Sequence, residues 1–524
     1  MKHLYTTLAL AAFCFSLGAS AQLSFGGQAR GLSRNADLPE APVAVMPTVD
    51  AEALKAEDAI REQQGIKGPY RFGFNHATDL SLENSGVWHT TASGERVWRV
   101  AIQCPQAYSI NFEFHEYVVP DGAEVFVYND AGEHIGSFNA ESNPGQTVLG
   151  VTQLAGERIT VEYVEPLAVR GLGRLRIGQV THAYRDIMGL EKGLGDSGSC
   201  NNNVVCAVGD NWRAQIRSVA MITVGGSGLC TGTLINNCEE DGTPYFLTAN
   251  HCLGGNNTWV FRFNYNSPSC ILNNNGPTNQ TVSGSTLKVN SATTDVALLQ
   301  LNTTPPTNYN VHYSGWDRST AIPQSSVGIH HPSGDVKKIS FDNNPLTTSS
   351  YLGNANSGTN FWRVGNWEDG TTEGGSSGSA LFNAAGLVIG QLYGGFASCS
   401  SITADYYGRF NISYPLLQNW LGNCGNQLFG FPSTTSVDEK ISANRIGLFP
   451  NPTTGRVTVT LPLTIQKDGQ VNLYDALGQR ILERNFRTGA ERLELDLSGR
   501  SEGIYLVEVV SGGTRTVERL VLNY

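Results

Sequence analysis

Charge is scarce in this chain of 524 residues: Asp, Glu, Lys and Arg make up only 15% of it, and the net charge is −11. Without a basic surplus there is no electrostatic footprint for a nucleic-acid backbone, so no nucleic-acid partner is expected. Apolar runs long enough to cross a bilayer are also lacking. Leu8–Phe15 is too short to span. With Lys2 and His3 before it and Ala19-Ser20-Ala21 after it, residues 1–21 read as an export signal cleaved before Gln22. The remainder is expected to be soluble, secreted through the periplasm and monomeric when mature. Cys-x-x-Cys pairs and His/Cys groups at ligand spacing are missing too, so neither a metal nor another cofactor is expected.

Glycine is plentiful, with 59 residues, and Asn, Ser and Thr accompany it. That composition favours many short strands joined by polar turns. Beyond Cys14, which leaves with the signal, nine cysteines remain: Cys104, Cys200, Cys206, Cys230, Cys238, Cys252, Cys270, Cys399 and Cys424. Export into an oxidising space makes disulfides their natural fate, with Cys104 expected to be a buried free thiol.

The length calls for several units. Residues 22–192 hold a helix near Val49–Gln64 and strand-like runs such as Arg96–Ile102, in which Trp98, Val100 and Ile102 share one face. With no catalytic constellation of its own, this part reads as a pro-region that assists folding and blocks a site; an independent sandwich that stays attached is the other reading. The glycine-rich stretch Gly189–Ser199 suits a processing linker, with Lys192-Gly193 as the cut. Residues 193–424 carry the chemistry and residues 425–446 read as a second linker. Residues 447–524 repeat short alternating strands in a sandwich pattern.

The chemistry rests on three separated frames: Thr248-Ala249-Asn250-His251-Cys252, Thr294-Asp295-Val296-Ala297-Leu298-Leu299 and Gly375-Ser376-Ser377-Gly378-Ser379. A serine hydroxyl is a poor nucleophile until a base takes its proton, and the base needs a carboxylate to hold its tautomer. His251 is the expected base, Asp295 its orienter and Ser377 the nucleophile. The backbone amides of Gly375 and Ser377 are the expected oxyanion donors. Strand-like residues Ala380-Leu381-Phe382 follow at once, which a flexible serine linker would not need. A Cys230–Cys252 bridge would pin the histidine's loop to the preceding hairpin. His330-His331 has no third ligand nearby and is not read as a metal site.

Segment 193–424 resembles the bacterial lysyl endopeptidases, a branch of the chymotrypsin-like serine proteases. The likeness runs through Gly198-Ser199-Cys200-Asn201, Cys230-Thr231-Gly232-Thr233-Leu234, Tyr245–Cys252, Gly315-Trp316-Asp317-Arg318, Ile329-His330-His331-Pro332, Gly374–Leu381, Gly390–Gly395 and Asp405-Tyr406-Tyr407-Gly408-Arg409. The resemblance implies a mainly β chain with a double β-barrel protease, flanked by a β-rich pro-region and an Ig-like sandwich. It implies cleavage after lysine in protein and peptide substrates, and bridges Cys200–Cys399, Cys206–Cys270 and Cys230–Cys252. Cys238 and Cys424 are additional and are paired by parity alone. Asp405 takes the position of the pocket carboxylate that meets the lysine ammonium, beside Gly394. Tyr393 replaces the family's pocket histidine and Tyr351 falls near its tryptophan, changes that admit arginine. Ser376 stands where trypsin-type enzymes carry an aspartate that pairs with the new N-terminus, so removal of the pro-region should unblock the site rather than reshape it.

The final unit resembles the sorting domain of type IX secretion, through Leu448-Phe449-Pro450-Asn451-Pro452, Val471–Gly478 and Gly503–Val507. That implies the export and type IX machinery as partners. The other readings are a carbohydrate- or protein-binding module for this unit, and a broader trypsin-like protease or an inactive adhesion module for the whole.

Overall fold

The computed structural model describes residues 26–33, 37–142, 144–189, 197–255, 257–270, 276–354, 358–401, 403–432, 447–449, 453–461, 467–475, 479–490, 492–512 and 514–523. The export signal and Lys192-Gly193 lie outside the described residues.

Among these residues the chain is mainly β, built of short antiparallel strands. The early helix is Ala51–Gln63. It begins where the Asp50 side chain accepts the Ala53 amide at 3.0 Å, and it ends in Gly65, whose φ of +64° closes the last turn. Behind it, a six-stranded and a four-stranded sheet form a sandwich. Its core holds Trp98, Val100, Ile102, Phe112, Phe114 and Tyr163, with the Cys104 thiol buried among them. The strand Arg96–Gln103 departs from simple alternation: Val97 is buried too, against Ala29 and Phe126 on the outer side of its sheet.

The protease segment supplies seven strands of an eight-stranded sheet and nine of a ten-stranded one, each sheet curved around its own apolar cluster. A third cluster fills the space between them, joining Leu247, Val296 and Leu298 of the first sheet to Val327, Ile329 and Phe382 of the second. The helix Phe410–Leu421 seals it with Phe410, Tyr414 and Leu417. This is the double-barrel arrangement, and it sets the site along the seam. Residues 427–432, read from sequence as linker, extend this fold instead. Gln427–Leu428 pairs with Trp316–Asp317, and Phe431–Pro432 pairs with His312–Tyr313.

The amino-terminal sandwich is docked on the first protease sheet. Arg262 is fully buried there, and its Nη2 donates to Thr152 Oγ1 at 2.8 Å and to Gln153 Oε1 at 2.6 Å, both in the sandwich. Gly150 has no room for a side chain, since a Cβ would lie 1.8 Å from the Thr258 carbonyl oxygen. Tyr70–Arg71 is the eighth strand of this sheet, paired with Gly228 and Leu229.

The carboxyl-terminal unit, residues 436–524, has a three-stranded and a four-stranded sheet over Val457, Val459, Val471, Leu495 and Val507. One strand, Arg480–Phe486, escaped the sequence reading. It is mostly polar and exposed, with only Phe486 buried. No helix among the described residues is long and apolar enough to cross a membrane.

Candidate active site

Strand register brings the first two frames together. Ala249 pairs with Val296 and Thr248 with Ala297, so the residues just past Ala249 meet the residue just before Val296. Asn250 donates its amide to the Asp295 carbonyl at 2.8 Å. The Asp295 carboxylate then grips His251 twice: Oδ1 accepts its backbone N–H at 2.9 Å, and Oδ2 lies 2.7 Å from Nδ1. Asp295 occupies the left-handed region, with φ of 57°, and is buried. Burial pushes its carboxyl above the usual range, while the two His251 contacts pull it back. With Nδ1 held by the carboxylate, Nε2 is the atom left to exchange a proton. It is buried and has no hydrogen-bond partner among the described residues.

The third frame is stapled to the same sheet. The Thr231 amide donates to the Ser377 carbonyl and the Thr231 hydroxyl to the Gly375 carbonyl, each at 2.8 Å. Thr233, two residues along, pairs with Leu247 on the histidine's strand. Gly378 presses against that strand so closely that a Cβ would lie 2.3 Å from Thr248 Oγ1 and 2.7 Å from the Ala249 nitrogen. Ser377 is half-buried and lines a cleft of about 570 Å³ with Thr372, Gly374, Gly375 and Leu392. Gly375 has φ of +90°, and a Cβ there would meet the His331 carbonyl at 2.9 Å. Neither the Gly375 nor the Ser377 amide donates a hydrogen bond among the described residues.

Neighbouring histidines buttress this turn. His330 bridges Ser376 Oγ at 2.8 Å and Ser340 Oγ at 3.1 Å, and His331 Nδ1 lies 2.9 Å from the Asp335 carbonyl oxygen. Burial lowers the pKa of both rings, His330 to about 3, so they sit as neutral hydrogen-bonding groups. The Cys230 and Cys252 sulfurs lie close to His251 but are bonded to each other, which leaves no thiolate for a metal ion. The other bridges are Cys200–Cys399, Cys206–Cys270 and Cys238–Cys424.

Asp405 is fully buried at the far side of the cleft wall. Its Oδ2 accepts Trp367 Nε1 at 2.8 Å and Thr372 Oγ1 at 2.6 Å. Oδ1 has no close hydrogen-bond partner among the described residues, and the Ala397 amide also favours the charged form of the carboxyl. Burial raises the carboxyl, opposed by Thr372 and then Trp367. The pairing of Gly395 with Asp405 and Gly394 with Tyr406 runs the glycine strand past the acid, and a Cβ on Gly395 would lie 2.2 Å from Oδ1. Beside it stands an aromatic wall. Tyr351 and Tyr393 have ring centres 4.1 Å apart, and Phe361 stacks on Tyr393 at 5.5 Å. Trp367, Thr372 and the bonding role of Thr231 were not read from the sequence, since their partners are distant in the chain. A fourth such residue is Lys67, which enters this cleft from the amino-terminal sandwich.

Residues 194–408 match the lysyl endopeptidase C-terminal domain, and residues 447–523 match the secretion system C-terminal sorting domain. A lysyl endopeptidase of Pseudomonas aeruginosa is 31% identical over 368 residues, covering 64% of this chain and 77% of that protein. Among solved structures, a Glu endopeptidase in complex with MPD is 19% identical, covering 43% of this chain and 97% of its own, at a TM-score of 0.29. HBP, at 17% identity, covers 40% and 94%, also at 0.29; neither likeness bears weight here. The sorting domain marks the chain as secreted. With its double barrel and its 31% identity across three quarters of the Pseudomonas protein, this chain belongs to the lysyl endopeptidase family, a family of serine endopeptidases.

Proposed function

We propose that the chain is the precursor of a secreted endopeptidase that cuts on the carboxyl side of lysine, with arginine as the second choice. Ser377 Oγ attacks the peptide carbonyl carbon as its proton passes to His251 Nε2. Asp295 keeps Nδ1 protonated and steadies the imidazolium, while the Gly375 and Ser377 amides receive the oxyanion. His251 then hands the proton to the departing amine, which leaves an ester on Ser377. Water opens that ester by the same steps in reverse, restoring the serine and releasing the acid.

Asp405 carries the substrate assignment. A fully buried carboxylate, with Trp367 and Thr372 both on Oδ2, is costly to charge without a cation in reach. A side-chain cation offsets that cost. The replacement of the family's histidine and tryptophan by Tyr393 and Tyr351 keeps an aromatic wall while changing its polar tips, and this favours tolerance of arginine. Lys192-Gly193 is the proposed processing site, and the type IX machinery the proposed route across the outer membrane.

Mass spectrometry of peptides released from a denatured protein mixture by the processed enzyme tests the reading. Cuts after lysine, with or without arginine, support it. Cuts without basic preference remove Asp405 from its role. A serine-directed phosphonate that fails to label Ser377 would reject catalysis altogether and leave a binding module.

A further inference from the structure

The cleft that holds Ser377 is crossed by a piece of the chain's own amino-terminal region. Helix Ala51–Gln63 stops at Gly65, with the Gly65 amide on Glu62 and the Ile66 amide on Arg61, both at 3.0 Å. The chain then turns into the cleft. Lys67 Nζ lies 5.2 Å from the centre of the Tyr351 ring and 5.7 Å from that of Tyr393. It sits 2.4 Å from the point where a Cβ on Gly394 would stand, a point that only glycine leaves open. Burial lowers the pKa of its ammonium, and Asp405 and, more weakly, Asp295 oppose that by favouring the charge. No carboxylate oxygen comes within direct ion-pair reach of Nζ among the described residues, so Asp405 acts across the pocket. Past Lys67, Tyr70 packs where a side chain on Gly374 would lie, 2.6 Å from its Cβ position, and then pairs with Leu229 on the first protease sheet.

We propose that Lys67 is a tethered ligand of the specificity pocket, and that the segment Gly65–Tyr70 holds the uncleaved chain inactive as a pseudo-substrate. The proposal rests on the reading of Asp405 as the pocket acid. A cation, an aromatic wall and a carboxylate behind it are the elements that a substrate lysine would meet. The segment is also braced at its two ends. Asp58, on the helix before the segment, accepts Arg71 Nε at 2.6 Å from the strand after it. The same carboxylate takes the Tyr184 hydroxyl at 2.6 Å and Arg185 Nη2 at 3.0 Å. A loop clasped at both ends loses little freedom on seating its lysine, which is how a rigid inhibitor gains affinity over a flexible substrate.

The test uses the full chain with Ser377→Ala, so that it cannot cut itself, and p-aminobenzamidine as a fluorescent cationic probe of the pocket. Adding Lys67→Met should tighten probe binding by about tenfold or more, while Lys67→Arg should leave it weak. Equal affinity with and without Lys67→Met overturns the proposal. Near-UV circular dichroism checks that each variant keeps its packing. Adding Asp405→Asn to the Lys67→Met chain separates the two readings: lost binding keeps Asp405 in the pocket, and unchanged binding overturns that assignment. No binding by any of the chains overturns both.

Discussion

Asp295 holds His251 by two atoms at once, with Oδ2 2.7 Å from Nδ1 and Oδ1 accepting the backbone N–H at 2.9 Å. One carboxylate thus fixes both the ring's tautomer and the turn on which the ring sits. Asp295→Asn keeps the size of the group but puts an amide in place of one oxygen. Turnover should fall by about 10⁴, the scale seen when an orienting carboxylate is neutralised in other triads. Single-turnover kinetics on a lysyl ester would read this, with thermal melting little changed.

Ser377→Ala should remove activity to within about 10³–10⁴-fold of the uncatalysed rate, the residue left by the oxyanion donors and binding. The half-buried hydroxyl supports no core contact, so the melting temperature should hold. Activity retained in this variant would exclude Ser377 as nucleophile.

Asp405→Asn keeps an acceptor for Thr372 and Trp367 and deletes the charge. The kcat/KM for lysyl peptides should drop by about 10²–10³, the cost of a buried cation left without its counter-charge. Peptides with an uncharged residue at the cleaved position should lose far less. The comparison of the two substrate sets is the measurement, and equal losses in both would exclude a charge-recognition role.

Gly378→Ala tests the seam between the sheets. Its φ is +83°, and the new methyl would lie 2.5 Å from the Thr231 carbonyl oxygen and 2.3 Å from Thr248 Oγ1. Backbone strain and overpacking together should destabilise the chain by about 2–4 kcal/mol. Because the strand that shifts leads to His251, kcat should fall as well. Urea unfolding alongside kinetics would separate the two effects.

Glu113 makes the docked sandwich sensitive to pH. Buried beside Thr258 of the protease, its carboxyl is pushed from 4.5 up to about 7 by burial, with the Thr258 hydrogen bond opposing. The folded chain therefore binds more protons than the unfolded one between those two values, and stability falls as pH rises through that window. Above pH 7 the loss levels off at about 3 kcal/mol at most. Melting of the full Ser377→Ala chain at pH 5 and pH 8 should show the drop, and Glu113→Gln should flatten it. His115, whose Nε2 is 3.8 Å from the Glu113 carboxylate, is lowered by burial and by Arg176.

What could be read from the sequence was local. His251, Asp295 and Ser377 each stand in a short frame of apolar or glycine residues, and the order of the frames is itself informative. The helix read near Val49–Gln64 is local too, and it lies at Ala51–Gln63. The rest depends on pairings across long separations. Asp58 meets Arg185, Arg262 meets Thr152, and Lys67 reaches Tyr393 more than 300 residues away. Nothing in Gly65-Ile66-Lys67-Gly68 distinguishes its lysine from any surface lysine. Residues 427–432 read as part of the linker 425–446 because the run Ser433-Thr434-Thr435-Ser436 follows them directly. They pair because Gly315 offers a surface without a side chain, where a Cβ would lie 2.2 Å from the Leu428 carbonyl oxygen. Arg480–Phe486 was missed for the opposite reason, since a strand with one buried residue has almost no apolar period to detect.

Lys67 and the pocket it enters belong to one chain, and that alone gives the block a memory of where the protein is. While the chain is whole, the lysine faces the pocket at an effective concentration on the order of millimolar, however thin the solution around it. One cut between the sandwich and the protease turns the same contact into an encounter between two molecules. From then on, occupancy follows bulk concentration, and bulk concentration collapses once the protein leaves the cell. Dilution into the surroundings then completes what the cut begins.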